Sequence, residues 1–188
     1  MTEIFELKTE RLLLRQWQTD DLEHFAQLNA DPEVMQYLPA ILDKKQSDML
    51  AEKIVERIHD NGWGFWAVEI IKQKSFAGFV GLNRPTYALP VNPCVEIGWR
   101  LARQHWGKGY ATEAARASMD FAFKQLDLDN LYAFTSIHNN KSSAVMQRLN
   151  MTNQNTNFIH PMVPEEGLYK EHVLYKISKQ HWLKSSNF

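Results

Sequence analysis

The sequence predicts a mixed α/β fold with helices on both faces of a sheet. Segments rich in β-branched and aromatic residues alternate with segments whose apolar residues recur at helical spacing. One of the predicted strands leads directly into a glycine-containing loop that opens a long helix. The chain has 188 residues, 44% of them hydrophobic and 23% charged, so it can bury a sizeable core. We therefore expect a single domain over residues 1–188, with a core at roughly 9–182.

The predicted elements run strand, helices, strands, strand, helix, strand, helix, strand. The strands are predicted at 11–17, 63–71, 76–82, 95–101, 131–137 and 172–177. Helix starts are predicted at Thr19-Asp20-Asp21, Asp31-Pro32, Ser47, Ala111 and Ser142, and Asn61-Gly62 ends the helix that Ser47 opens. Gly98 suggests a β-bulge within its strand. Three prolines make residues 84–93 a loop.

Composition excludes several classes of function. A net charge of −1 offers no broad basic surface for nucleic acid. The lone Cys94 can form neither an intramolecular disulfide nor a zinc site by itself, which favours a reducing compartment and a cytoplasmic location. The first residues do not form a signal peptide, and no stretch of ~20 apolar residues indicates a membrane span. The seven His show no metal-ligand spacing, so we expect no metal.

The most informative segment is the loop that precedes the long helix. Gly107 and Gly109 allow close approach of a ligand to the backbone, and the unpaired N–H groups of a helix start attract anions. This predicts a phosphate or pyrophosphate site, with Lys108 as a nearby cation. A dinucleotide-binding loop needs a third glycine where Thr112 stands, and a Walker loop needs Ser or Thr where Gly109 stands. Spacing alone leaves an ordinary turn as an alternative.

Five segments of the chain carry a resemblance to a known family. One is the loop Gln104-x-x-Gly107-x-Gly109-Tyr110-Ala111. The other four, in chain order, are 9–15 with 20–21 and 31–35, then Glu96-Ile97-Gly98-Trp99, then Asn139-x-x-Ser142 with Leu149, and finally 175–182. The loop is similar to the signature of the GNAT acetyltransferase superfamily, and the five segments together resemble its ribosomal-protein N-terminal (alanine) acetyltransferase branch. The chain departs from the branch at Leu149-Asn150-Met151, where Leu-Gly-Phe is usual; Asn also tolerates the left-handed cap.

The resemblance implies a GNAT-like acyl-CoA N-acyltransferase fold, with a mostly antiparallel sheet splayed between its fourth and fifth strands and acetyl-CoA as co-substrate. Backbone groups of the fourth strand, at Trp99, Arg100 and Leu101, would bind the pantetheine arm. Loop amides would hold the pyrophosphate, at Gln104, Gly107, Lys108, Gly109, Tyr110 and Ala111. Two polar residues, Asn139 and Ser142, would lie near the sulfur. Asn139 is equally suited to cap a helix.

Acetyl transfer requires a neutral amine and therefore a group that removes its proton. Glu96 is the leading candidate for this general base; the alternative is an ion-paired strand residue. Ser142 is a candidate general acid or a helix cap, and His138 is a further polar candidate. A backbone amide beside Gly98 would stabilise the oxyanion. The resemblance implies direct transfer in a ternary complex, so Cys94 is expected to be structural.

The acceptor implied by the branch is a protein or peptide N-terminal α-amine. Alternatives are a small-molecule amine (polyamine, amino acid or aminoglycoside), a non-catalytic acyl-CoA-binding module, and a nucleotide-binding regulator. Residues 84–93 and 158–167 are expected to form the acceptor loops, with Glu165 and Glu166 as attractants for a cationic acceptor. A homodimer is compatible with the sequence, although no feature requires one.

Overall fold

A computed structural model describes residues 3–164 and 169–185. Within these ranges the strands form a single sheet in the order β1-β2-β3-β4-β5-β6-β8-β7. Every neighbouring pair is antiparallel except β5 and β6, which are parallel. The strands are β1 (Leu7–Lys8), β2 (Leu12–Arg15), β3 (Phe65–Ile70), β4 (Ser75–Asn83), β5 (Glu96–Leu101), β6 (Asn130–Ser136), β7 (Thr152–Ile159) and β8 (Glu171–Ser178).

Helices cover both faces of the sheet, as predicted. They are α1 (Asp21–Ala30), α2 (Pro32–Met35), α3 (Lys44–Asn61), α4 (Tyr110–Lys124), α5 (Asn140–Arg148) and α6 (Lys179–Ser185), with a 3₁₀ turn at Arg103–His105. On one face α1 and α3 bury Phe25 and Ile58 against Phe79 of β4. On the other face α4 buries Met119 in a larger core that also contains Trp182 of α6. The sheet is therefore the middle layer of three.

Capping side chains decide where two of the helices begin. Asp31 accepts a hydrogen bond from the backbone N–H of Glu33 at 2.9 Å, which confirms the predicted start of α2. Asp43 and Gln46 form a capping box at the start of α3, so the predicted start at Ser47 is wrong by one turn. That helix ends as predicted, at Gly62 with φ 80°.

The opening between β5 and β6 is the feature of the sheet that matters most for function. β4 and β5 pair along the whole of β5, from Asn83↔Glu96 to Gly78↔Leu101. β5 and β6 pair only at Glu96↔Tyr132 and then diverge. The predicted splay between the fourth and fifth strands is confirmed, at the strands here numbered β5 and β6.

The sequence-based expectations about strands need correction at Gly98, β1 and β7. The β4–β5 register runs without a shift through Gly98, so the predicted bulge is wrong; register shifts occur between β3 and β4 at Val68/Glu69 and between β7 and β8 at Asn153/Asn157. Strands β1 and β7 were not predicted. β7 lies at the sheet edge, and its last two residues, Phe158 and Ile159, fall in the segment 158–167 that was expected to form an acceptor loop. The predicted acceptor segment partly falls at 165–168, with Glu165, Glu166 and Gly167, which lie outside the described residues.

A buried ion-pair cluster joins β2, α1 and β3. Arg15 is 6% exposed, and its Nη1 lies 2.7 Å from Oδ2 of Asp21. Its Nε lies 2.7 Å from Oε2 of Glu69. Hydrogen bonding to Asp21 raises the pKa of Arg15, and this outweighs the opposing effect of burial. The guanidinium is thus fully compensated where three elements meet.

In the described ranges no helix is long and apolar enough to cross a membrane.

Removing one partner should show how much this cluster stabilises the fold. Asp21→Asn leaves the buried guanidinium with one carboxylate, so the free energy of unfolding should fall by about 3 kcal/mol in urea denaturation. The matched control, Asp48→Asn, breaks the exposed Lys44–Asp48 pair within α3 and should cost much less. Equal losses in the two variants would contradict this account.

Candidate active site

A cavity of about 970 Å³ lies where β5 and β6 part. One end is formed by the start of α4 and by α5, and the other by residues of α2, β6 and β8 and of the segment that follows β7. A space of this size suits a substantial ligand held between strands. The cavity therefore marks the candidate active site.

The loop before α4 presents unpaired backbone donors to the cavity. Gly107 and Gly109 have φ values of 73° and 81°. In the part of the chain that the structure describes, the N–H groups of residues 107–112 find no acceptor; the first to do so is that of Glu113, which donates to the Gly109 carbonyl at 3.0 Å. A Cβ on Gly107 would meet nothing within 4 Å. An open space in front of unpaired amides at the start of a helix is suited to a diphosphate.

Arg11 fixes this loop to the N-terminal part of the sheet. Its Nη1 donates to the Lys108 carbonyl at 3.0 Å, and its guanidinium pairs with Glu113 at 2.6 Å. The guanidinium also lies 4.8 Å from the centre of the Tyr110 ring. The loop is therefore held in shape by a residue of a distant segment.

Most of the predicted site residues lie together on the cavity wall. These are Glu96, Trp99, Arg100, Leu101, Gly107, Gly109, Tyr110, Ala111, Asn139 and Ser142. Gln104 and Lys108 are not on the wall: both are exposed, and the Gln104 amide lies 3.3 Å from His105 instead. His138 is also exposed and outside the wall. The structure thus places the side chains of Gln104, Lys108 and His138 away from the other predicted site residues, while the backbone N–H of Lys108 stays among the unpaired amides of the loop.

Hydrogen bonds join Trp99 of β5 to the start of α5. Nε1 of Trp99 donates to Oγ of Ser142 at 3.3 Å. Oδ1 of Asn139 accepts from the Ser142 N–H at 3.1 Å, and its Nδ2 donates to Oγ1 of Thr135 at 3.0 Å. Asn139 is therefore the helix cap that the sequence allowed. Ser142 is left with its own O–H available on the cavity wall.

Glu96 is the titratable group at the point where the strands part. It is 8% exposed, and its Oε1 accepts from Nδ2 of Asn83 at 2.6 Å. Nη1 of Arg57 donates to Oδ1 of the same amide at 2.6 Å. Burial raises the pKa of Glu96 to about 7, although the Asn83 hydrogen bond and the Arg57 charge act in the opposite direction. A carboxyl group of this pKa exchanges protons at neutral pH.

A cluster of aromatic rings and two histidines forms the far wall and was not predicted. The rings of His160 and His172 lie 4.7 Å apart, beside Phe134 and Tyr87. Burial lowers the pKa of His160 to about 4 and also lowers that of His172, so both are neutral at pH 7. Nδ1 of His160 accepts from the Met162 N–H at 3.2 Å, whereas Nδ1 of His172 lies 3.1 Å from a backbone carbonyl. These contacts assign opposite tautomers to the pair.

The described residues hold no group of three or more His, Cys, Asp or Glu side chains that could bind a metal ion.

The fold and the site together define a transferase that uses an acyl-CoA donor, and comparisons with known proteins agree. A family model described as an acetyltransferase (GNAT) domain matches residues 11–152. The chain therefore belongs to the GNAT family and is an acetyl-CoA-dependent N-acetyltransferase, with acetyl-CoA as its co-substrate.

Three individual proteins illustrate the relationship. The uncharacterized protein YkkB of Bacillus subtilis (strain 168) is 31% identical over 147 residues, which cover 78% of this chain and 84% of YkkB. A spermidine N-acetyltransferase from Vibrio cholerae, solved with CoA and spermine, has a TM-score of 0.74 at 24% identity, covering 93% of this chain and 99% of that one. RimL, a ribosomal L7/L12 α-N-protein acetyltransferase solved with CoA, has a TM-score of 0.74 at 18% identity, covering 93% and 98%. At these identities the two structures establish the shared fold.

The raised pKa of Glu96 predicts a pH-dependent stability. Because the pKa in the folded state lies above that in the unfolded state, the stabilisation is present at low pH and is lost as the pH rises through about 7. Glu96→Gln should remove this loss. When the pH is raised from 4 to 8, the free energy of unfolding of the variant should rise by about 3 kcal/mol relative to that of the wild type, as measured by urea denaturation. Glu56→Gln on the exposed side of α3 is the control, and an equal gain there would argue against a special environment for Glu96.

The loop geometry predicts the effect of a side chain at Gly107. The Cβ of Gly107→Ala would stand in the open space before the unpaired amides, so CoA affinity should fall at least about tenfold in calorimetry. Gly62→Ala is the matched control, since Gly62 has φ 80° but lies outside the cavity. It should lower the melting temperature similarly and leave CoA affinity unchanged. Equal CoA affinity in both variants would contradict the assignment of the donor site.

Proposed function

We propose that this enzyme acetylates the α-amine of a protein or peptide N-terminus, by direct attack of the amine on acetyl-CoA in a ternary complex. The observation that carries the proposal is Glu96, a buried carboxyl group on the cavity wall with a pKa of about 7, at the point where β5 and β6 part. An α-amine has an ordinary pKa of ~8, so its proton can pass to such a carboxylate at neutral pH.

The donor would lie along the open edge of β5. The unpaired N–H groups of residues 107–112 would hold the pyrophosphate, and the backbone of Trp99, Arg100 and Leu101 would face the pantetheine arm. This orientation brings the thioester toward Glu96, because the arm runs from the start of α4 back along the strand. The acceptor would then lie over the face of β5 that carries the Glu96 side chain, with its amine at the end of the strand where Tyr87 and His160 line the cavity.

In the reaction the amine nitrogen forms a bond to the thioester carbonyl carbon, and the carbon–sulfur bond breaks. Glu96, directly or through water, takes the proton that the amine loses. The departing thiolate takes a proton from the hydroxyl of Ser142, which recovers one from solvent. Ser142 suits this role because its oxygen already accepts from Trp99, which leaves its O–H free to donate.

The state of Cys94 supports direct transfer. Burial raises the pKa of its thiol to about 11, with a smaller contribution from the nearby Glu96. At neutral pH the group is therefore the poorly nucleophilic thiol rather than the thiolate. An acyl-enzyme on Cys94 would need a base that lowers this pKa.

The charge of the cavity wall favours a peptide over a polyamine. Among the described residues that line it, the carboxylates are Glu33 and Glu96. Glu33 is already ion-paired with Arg103. A polyamine carries several positive charges and calls for several carboxylates, whereas an α-amine followed by an extended chain suits one base and aromatic walls. Both acceptor classes occur among the similar structures, as the spermidine enzyme and RimL.

The role of Glu96 predicts a pH profile. In the wild type kcat should rise with pH to a plateau, with a midpoint near 7. Glu96→Gln should lower kcat at least about 100-fold, with CoA affinity retained. Asn83→Leu should move the midpoint to higher pH, since it removes a hydrogen bond that favours the carboxylate. An unchanged midpoint in Asn83→Leu would mean that another group titrates.

A screen of acceptors tests the class of substrate. Peptides with free N-termini, the same peptides with blocked N-termini, and spermidine should be incubated with acetyl-CoA, and CoA release measured. We expect turnover of free-N-terminal peptides alone. If spermidine is acetylated and none of the peptides is, the substrate class is small amines instead.

A further inference from the structure

The cavity contains a second charged group that the reaction leaves unused. Alternate residues of β5 point to the same side of the sheet, so Arg100 shares a face with Glu96. Their partners on β4 are Phe79 and Asn83, of which Phe79 packs beneath α1 and α3. Both Glu96 and Arg100 line the cavity. A carboxyl group and a guanidinium therefore occupy one wall, four residues apart.

Among the residues that the structure describes, Arg100 has no counterion. Its Nη1 donates to Oδ1 of Asn29 at 2.6 Å, and its guanidinium lies 5.3 Å from the centre of the Phe79 ring. Both partners are neutral. Burial lowers the pKa of Arg100 to about 10, and no carboxylate of the described residues opposes this effect. The side chain thus stays charged at neutral pH in a partly buried position.

Two comparisons within the chain show that this is unusual. Arg15, which is also buried, has two carboxylates against it. The carboxylate of Glu33, which lines the same cavity, is ion-paired with Arg103, as is that of Asp31. A partly buried cation that faces a cavity without a counterion is costly unless an anion arrives with the ligand.

We propose that Arg100 binds an anionic group of the acceptor, and that the acceptor is a peptide with a carboxylate at its third or fourth residue. This rests on the proposed function, with the α-amine at Glu96. Four residues of β5 span roughly 13 Å, and an extended peptide advances ~3.3–3.6 Å per residue. After the reach of both side chains is allowed for, an acidic side chain at position three or four meets the guanidinium. Arginine binds carboxylates through paired N–H groups.

Matched peptides test this pairing. Tetrapeptides with amidated C-termini should carry Glu at position two, three or four, each compared with its Gln counterpart. We expect Glu at position three or four to lower KM by about tenfold in the wild type, with little change in kcat. Arg100→Gln should abolish the preference, and Arg100→Lys should retain part of it. Peptides with Gln throughout and a free C-terminal carboxylate reveal whether the terminal group can serve instead.

The control variant is Arg116→Gln. Arg116 is an exposed arginine of α4 that donates to the Arg148 carbonyl at 2.8 Å and lies outside the cavity, so its loss should leave the Glu preference intact. Melting temperatures separate recognition from a structural role. Because Arg100 has no counterion, Arg100→Gln should melt at or above the wild-type temperature, whereas a structural arginine would melt lower when replaced.

Equal KM values for Glu and Gln peptides in the wild type would overturn the inference, as would a preference that survives in Arg100→Gln. Binding of the same peptides to CoA-loaded protein, followed by fluorescence anisotropy, gives this comparison even without turnover. Failure of the proposed function looks different: no amine of any kind would consume acetyl-CoA. Turnover of peptides without a preference for Glu would refute the role proposed for Arg100 and leave the proposed function intact.

Discussion

The site depends on the parting of two parallel strands. β5 and β6 share one point of pairing, at Glu96 and Tyr132, and the rest of the β5 edge toward β6 stays open. β5 itself remains rigid because β4 pairs with its whole length on the other side. The open edge thus has a fixed backbone, and its hydrogen-bonding groups have no strand partner on this side. Such groups cost free energy when they stay unpaired away from water. In the proposed complex, the donor arm would supply the hydrogen bonds that a neighbouring strand provides elsewhere in the sheet.

The two charged groups on the β5 face are treated differently by the fold. Glu96 receives a hydrogen bond from Asn83, with Arg57 behind it, which keeps the pKa close to neutral instead of letting burial raise it further. Arg100 receives only the neutral Asn29 and Phe79. The Glu96 carboxyl group therefore has a pKa that allows proton exchange at neutral pH, whereas the Arg100 guanidinium has no counterion among the described residues.

Local chemistry explains which parts of this structure could be predicted from the sequence. Gly107 and Gly109 stand next to a helix start, so their backbone role can be read from adjacent residues. The far wall has no such signal, since His160 directly follows β7, His172 belongs to β8, and the two meet only because β7 pairs with β8.

β7 itself was missed because its residues, Thr-Asn-Gln-Asn-Thr-Asn-Phe-Ile, are poor strand formers on average. It forms at the sheet edge because β8 offers a partner. The Asn83–Glu96 contact likewise needs the β4–β5 register to be known. In each case the deciding partner lies far away in the sequence.

Arg11 connects the beginning of the chain to the donor loop, and 97 residues separate it from the Lys108 carbonyl that it binds. The proposed pyrophosphate site is consequently held in shape only when the segment that carries Arg11 is docked, so CoA would bind the folded chain rather than one segment of it. By mass action, a ligand that binds only the folded state stabilises it against global unfolding. Cofactor concentration in the cell is thereby coupled to the resistance of the whole chain, including the N-terminal strands, to proteolysis.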